Sequence, residues 1–500
     1  MNDGKPNIIL MNCDDLGYGD LGCYGATVNS TPTLDRLAAE GVRFTDFYMA
    51  SAVCSASRGA MMTGCYPSRI GFDSFDGEWV LFPGQGVGLN PAETTVATLL
   101  RQQGYATALI GKWHCGDQPE FLPTLHGFDR YYGLPYSNDM GLMRRFEEQG
   151  QRYPPLPLMR GEEIVEEQPD QASLTERYVE ESVRFIRENR GKKPFFLYFA
   201  HMHVHLPLIA ARRFLDRSRN GPYGATVECI DWSMAALLAE LRRLGLDKNT
   251  LIVFTSDNGS KAINGGSNAP LRGTKGTTWE GGFRLPCIAW WPGRVPAGGV
   301  CREISTAMDF LPTFTRLAGG EPPADRILDG KDIRPMLFGE SGAKSEYEVF
   351  YYYLRCELQA VRAGDWKLHV LSGELYNLAE DVGETRNVAA RHPDVVRRLE
   401  ALAQKGREDL GDSARNITGK NRRPIGRVAN PKPLTEYDPN HPYIIGMYDG
   451  EVGLGGGAPF VRHAGNCWGE RSGARSSQRR NGAKTLPSAQ KQSRPTLASF

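Results

Sequence analysis

Six short segments of this chain hold side chains able to do chemistry. In Cys54-Ser55-Ala56-Ser57-Arg58 a thiol stands one helical turn before a guanidinium. A cysteine at the start of a short helix lies in a positive field that favours a bound anion. Asp14-Asp15 and Asp257-Asn258 each follow an apolar run. Three carboxylates and an amide oxygen brought together would make a hard, all-oxygen site suited to Ca2+ or Mg2+, not to zinc. Lys112 and His114 follow the apolar stretch Tyr105 to Ile110 and, two apart, point to one side of an extended chain. His201, His203 and His205 alternate in the same way, but no Cys or Glu lies close enough in sequence to complete a zinc set. The glycine-rich stretch Leu271 to Gly282 carries Lys275 without the spacing of a P-loop. Taken singly, each segment has a plain reading: a buried thiol beside a helix cap, solvated acids, a surface lysine next to a core histidine.

The elements that must position them alternate. Asn7 to Asn12 is an apolar run ending in Asp14 and Asp15, which reads as a buried parallel strand delivering two acids at its carboxyl end, where ligand sites of open α/β sheets lie. Further strands are predicted at Tyr105 to Ile110, Phe195 to Ala200 and Leu251 to Thr255. Helices are predicted from Thr31-Pro32 to Glu40, with Thr31 as cap and Gly41 as stop, and over 94–103, 174–189 and 225–244. Such alternation predicts a largely parallel sheet covered by helices on both faces. Residues 348–378 change character and read as short antiparallel strands before a helix near Pro393 to Gln404. The expected organisation is therefore a catalytic α/β domain over 1–340 and a small α+β domain over 341–410, followed by an extended Pro-rich segment over 411–460 and a tail over 461–500.

Composition limits the function classes. A formal net charge of +1 over 500 residues gives no overall signal for nucleic acid. The basic excess is confined to the tail, where Arg462 to Arg494 holds eight Lys or Arg and one acid, Glu470; its Ser, Gly and Gln content favours disorder over a nucleic-acid or membrane arm. No apolar run approaches the ~18 residues of a bilayer helix. The ten cysteines are scattered without a CxxC pair, so most of them read as buried thiols, not as a disulfide framework. MNDGKPNIILMN lacks the features of a secretory signal; as written the chain reads as cytoplasmic, and as periplasmic or secreted if a leader is missing.

Taken together and in order, the six segments resemble the type I sulfatases, in particular the arylsulfatase A and N-acetylgalactosamine-6-sulfatase branch, over residues 6–450. Cys54 to Gly64 is similar to the family signature in which the cysteine is oxidised after translation to formylglycine. Ala56 stands where the family has proline, and Met62 where it has leucine. The methionine is a volume-conserving exchange, and the alanine bears on which maturase accepts the chain.

The resemblance implies an alkaline-phosphatase-like fold and one divalent metal, Ca2+ or Mg2+, held by Asp14, Asp15, Asp257, Asn258 and the modified Cys54. An amide at 258, where a two-zinc relative would want more charge, speaks for a single ion. It further implies that Lys112 holds the formylglycine hydroxyl and that Arg58 helps ionise it. His114 takes the proton that lets the sulfated intermediate collapse. His205 with Lys275 protonates the departing alcohol, and Lys275 also bridges to the sulfate. Ser137, in Pro135-Tyr136-Ser137-Asn138-Asp139, would contact the sulfate; His203 would line the pocket, and His201 is read as structural. The implied partners are a sulfated small molecule or carbohydrate and a formylglycine-generating maturase, with no nucleic acid and no membrane span. The rival readings are a phosphonate or phosphodiester hydrolase, and an anion-binding protein with an unmodified Cys54.

Overall fold

The computed structural model describes residues 4–143 and 153–444. Strand β1 (Asn7–Cys13) shows why the chain folds around its centre: all seven residues are buried, and its side chains leave in two directions. Ile8 and Leu10 enter one hydrophobic cluster, while Ile9, Met11 and Cys13 enter another on the opposite face. Burying a large apolar side chain is worth roughly 1.5–3 kcal/mol, and ordering a residue's backbone costs ~1–2 kcal/mol. A strand buried on both faces is thus secured by its own side chains.

With β1 go β2 (Val42–Tyr48), β3 (Ala106–Gly111), β4 (Arg130–Gly133), β5 (Phe195–Ala200), β6 (Thr250–Ser256) and β7 (Arg284–Trp290). The order across the centre of the sheet is β2, β7, β6, β1, β5, β3, β4. From β6 to β4 all neighbours are parallel. The predicted parallel core is therefore present, but β7 runs antiparallel to both β6 and β2, and Pro157–Arg160 with Glu163–Glu167 adds an antiparallel hairpin beyond β4.

Helices α1 (Pro32–Glu40), α2 (Cys54–Thr63), α3 (Val96–Gln102), α4 (Gln171–Asn189) and α5 (Gly221–Leu244) cover the two faces. Leu34, Leu174, Tyr178 and Val227 belong to one cluster, and Met61, Val96 and Leu100 to the other. Helix α1 starts after Thr31 as predicted, yet the Thr31 hydroxyl does not cap it. That hydroxyl donates to Asp35 (3.1 Å), and the free first-turn N–H groups of Thr33 and Leu34 are taken by Asp231 on α5, both at 2.9 Å. The cap comes from a distant carboxylate, which no local pattern announces.

Strands β8 (Phe350–Leu354), β9 (Glu357–Ala363), β10 (Trp366–His369) and β11 (Glu374–Asn377) form a separate antiparallel sheet in chain order, followed by α6 (Pro393–Leu410). Tyr352, Leu358 and Leu399 of this region share a cluster with Tyr48 and Phe283 of the main one. Beyond α6 the chain is anchored by Arg422 on Asp73 (2.9 Å) and Arg423 on Glu93 (2.7 Å), and Gly426–Arg427 pairs with Val87–Gly88. The Gly455 to Gly457 hinge and the basic tail predicted from the sequence lie outside the described residues. Among those residues no helix is long and apolar enough to cross a membrane, and of the nine cysteines seven are buried, while Cys23 and Cys301 are partly exposed.

Gly111 ends β3 with φ +114°, and a Cβ there would stand 1.9 Å from the Ala200 carbonyl oxygen of β5. Only glycine allows this close approach just before Lys112. Gly111→Ala is expected to lose on the order of 3 kcal/mol of stability, read as a lower denaturant midpoint; an unchanged midpoint would contradict the strand packing described.

Candidate active site

Four neighbouring parallel strands, β6, β1, β5 and β3, end at the same edge of the sheet. Directly after these ends come Asp257-Asn258, Asp14-Asp15, His201 to His205, and Lys112 with His114. The chain turns sharply here: Asp15 (φ 64°) and His114 (φ 60°) adopt left-handed backbone, uncommon without glycine and concentrated at functional sites. Helix α2 adds its first turn, with Cys54 at the first helical position and no side chain capping the end.

The acids meet the cations pair by pair. Arg58, fully buried, donates from Nε to Asp257 Oδ2 (2.8 Å) and from Nη1 to the Lys112 carbonyl (2.8 Å), with Asp14 3.7 Å away. Lys112 is ion-paired with Asp14 and donates to Ser137 Oγ at 3.1 Å. Lys275 pairs with Asp15 at 2.7 Å, and Asn258 Nδ2 donates to the same Asp15 oxygen at 2.7 Å. His205 Nε2 lies 3.8 Å from Asp15 Oδ2, and its Nδ1 donates to the Leu206 carbonyl at 2.8 Å and lies 3.4 Å from Ser137 Oγ.

Burial and mutual charge set the protonation. Burial alone would raise the Asp14 carboxyl, but Lys112, with His205, Arg58 and Lys275 behind it, holds it far below the usual carboxylate range. Asp257 is pushed up by burial and by repulsion from Asp14. Burial works against the charge on Lys275, and Asp15, Cys54 and Asp14 outweigh it, so its pKa is raised. Burial raises the Cys54 thiol to about 11 although Lys112 and Lys275 pull it down. His114 is held well below its ordinary value by burial and by Lys112. Its Nε2 faces the Leu81 carbonyl at 2.9 Å; a carbonyl only accepts, so the proton is on Nε2 and the lone pair on Nδ1, which is buried without a hydrogen-bond partner.

The structure thus joins Asp14, Asp15, Asp257, Asn258, Arg58, Lys112, Ser137, His205 and Lys275 in one network, and Cys54 lies within the field of Lys112, Lys275, Asp14 and Asp257. His203 contributes its backbone, whose carbonyl accepts from the Asp14 N–H at 2.9 Å, while its ring packs on His201 (5.0 Å) with both nitrogens unpartnered. Burial lowers the His203 ring to about 3. His201 accepts from the His203 N–H (3.1 Å).

Sequence reasoning missed Asp139, 3.9 Å from His205 Nδ1, although it lies two residues after Ser137. It also missed Lys261, in the loop after Asp257, whose pKa is lowered by burial and by Lys275.

The donor set fits a hard divalent cation. Asp14 Oδ1 and Asn258 Oδ1 are buried oxygens without hydrogen-bond partners, standing among three carboxylates. Asp14, Asp15 and His205 each offer a ligand atom within 4.8 Å of the others. Of these the two acids suit such an ion better than an imidazole does.

Comparison with known proteins agrees with this geometry. The family model described as Sulfatase matches residues 6–320, and that of N-sulphoglucosamine sulphohydrolase, C-terminal, matches 274–408. N-acetylgalactosamine-6-sulfatase of Canis lupus familiaris is 41% identical over 384 residues, 73% of this chain and 71% of its own. Arylsulfatase A of Homo sapiens is 37% identical over 447 residues, 79% of this chain and 87% of its own. Among solved structures, Ps i-CgsB in complex with k-i-k-neocarrahexaose superposes with a TM-score of 0.71 at 32% identity, covering 80% of this chain and 92% of that one. The match over more than half of the chain, together with these relatives, shows that the protein belongs to the sulfatase family and is a sulfatase enzyme with an alkaline-phosphatase-like fold.

Proposed function

We propose that the protein hydrolyses sulfate monoesters of a sugar or an aryl alcohol, using formylglycine made from Cys54 and one divalent cation, Ca2+ with Mg2+ as the alternative. The observation that supports this reading is Cys54 at a helix start, within the field of Lys112 and Lys275 and of the buried acids Asp14 and Asp257. Asp14, Asp15, Asp257 and Asn258, with residue 54, would hold the cation. When bound, the cation would supply charge against the ester oxygens, and the hydrated aldehyde would supply a hydroxyl nucleophile.

The chain's own side chains do the rest. Arg58, Lys112 and Lys275 neutralise Asp257, Asp14 and Asp15, so a divalent ion gives the pocket a positive surplus for an anionic ester. Lys112 and Ser137, 3.1 Å apart, orient the nucleophile and the sulfate group. His205, its Nδ1 proton committed to Leu206, must carry a second proton on Nε2 to give to the departing oxygen, with Lys275 as its partner there. His114, neutral and with its lone pair on Nδ1, accepts the proton whose loss releases sulfate.

Two tests follow. Peptide mass spectrometry across Cys54 is expected to show thiol-to-aldehyde conversion in protein co-produced with a maturase. Aryl sulfate turnover should be lost with a chelator and restored by Ca2+, which should also raise the thermal midpoint by mass action. Unmodified protein that binds sulfate without turnover, even with the maturase, would establish an anion-binding protein instead; faster turnover of an aryl phosphonate would establish a phosphonate hydrolase. Second, Lys275→Ala is expected to lower kcat about 10²- to 10⁴-fold, most with poor leaving groups. A loss independent of the leaving group would remove Lys275 from that role.

A further inference from the structure

Asp14, Asp15, Asp257 and Lys112 directly follow strand ends and Arg58 sits on α2, whereas Lys275 lies far along the connection from β6 to β7. On its inner side this loop is held by the main body: Lys275 N–H donates to the Ser260 carbonyl (3.2 Å) and Gly276 N–H to the Ala52 carbonyl (3.0 Å). On its outer side the partners come from the small sheet and the connection after it. Glu384 takes the Glu280 N–H on Oε2 (2.8 Å), and its carbonyl takes the Arg272 guanidinium (2.8 Å). Lys367 Nζ donates to the Thr278 carbonyl (2.8 Å), to Glu280 Oε1 (3.0 Å) and to Glu384 Oε1 (2.9 Å). The Thr278 hydroxyl donates to Gln359 Oε1 at 3.0 Å. Arg272 lies 3.6 Å over the Trp279 ring, which in turn packs on His369 at 4.1 Å, and His369 Nε2 donates to Glu384 Oε1 at 3.0 Å.

Glu384, Lys367 and Glu280 have fully buried side chains. A buried pair that loses one partner leaves an uncompensated charge, so such a cluster has one arrangement in which its charges are met. That arrangement grips the loop at Arg272, Thr278 and Glu280, on both sides of Lys275.

We propose that Glu384, acting with Lys367 and Gln359, is a positioning residue for the sulfatase reaction: it clamps the loop so that the Lys275 ammonium meets the oxygen of the departing alcohol. This rests on the role given to Lys275 above. Displacement of a catalytic group by ~1 Å can cost about a hundred-fold in rate, and the loss falls on the step that group assists.

The test uses full-length, matured enzyme and a series of aryl sulfates whose leaving groups span a range of basicity. Glu384→Gln is expected to keep KM near the wild-type value, to lower kcat about ten- to a hundred-fold for the most basic leaving group, and to lower it far less for the most acidic one. An equal loss across the series is what a merely structural role gives and overturns the proposal, as does no loss. Lys275→Ala in the same series separates the two ideas. If it fails to steepen the leaving-group dependence, the role of Lys275 fails and the clamp falls with it; if it steepens the dependence and Glu384→Gln does not, the clamp alone is wrong. Should Glu384→Gln not fold, Gln359→Leu, which cuts only the bond from Thr278, decides: a smaller steepening in the same direction supports the clamp, and the wild-type slope overturns it.

Discussion

Three carboxylates buried at one edge of a sheet repel one another, and the architecture answers that repulsion. An unpaired charge removed from water costs several kcal/mol even after the protein relaxes. Asp14, Asp15 and Asp257 therefore require Lys112, Lys275 and Arg58 within contact distance. The acids arrive from two adjacent strands, β1 and β6, and the cations come from β3, from helix α2 and from a loop. Only a fold that brings these five places together can bury any of them, so the order of the central strands and the charge of the pocket are one constraint.

The same logic recurs between the two sheets. Asp46, Glu280 and Glu384 face Arg284, Arg362 and Lys367, again with acids and bases in balance. Burial opposes the charge on Glu280, and Lys367, Arg362 and Arg284 prevail, holding its pKa low. Tyr48 and Tyr352 add their hydroxyls to the two Glu280 oxygens at 2.5 and 2.7 Å. The small sheet is joined to the large one by matched charges as well as by the aromatic packing of Tyr48, Phe283 and Phe350.

What could be read from the sequence is what depends on neighbours along the chain. Strands buried on both faces are continuous apolar runs, so β1, β3, β5 and β6 stand out, and the residues just past their ends are named by position alone. β7 was not legible: Arg284-Leu285-Pro286-Cys287 carries a proline, and the strand shifts register against β2 between Leu285 and Cys287. Helix α5 begins at Gly221-Pro222, ahead of the predicted start at 225, because glycine and proline break helices inside but are tolerated in a first turn. Contacts between distant positions outside the motifs that carry the family resemblance left no trace. Asp231 capping α1, Glu384 gripping the loop of Lys275 and Asp139 near His205 are contacts between segments that no periodicity links.

The difference between Lys112 and Lys275 shows how position is achieved in each case. Lys112 follows a strand, and its backbone N–H donates to the Ala200 carbonyl of β5 at 2.8 Å, so the ladder itself fixes where the side chain begins. Lys275 begins from a loop with glycine on either side at 273 and 276, both at positive φ. Such a backbone is free in the unfolded chain, and a lysine side chain brings about 2 kcal/mol of rotamer entropy of its own. Contact with Asp15 alone would have to meet both costs. Supporting bonds from Ser260 and Ala52 on one side, and from Glu384, Lys367 and Gln359 on the other, order the backbone before the ammonium is committed. A cation that must reach a departing oxygen in a defined direction thus gains from a second, buried set of charges what its neighbours gain from the sheet.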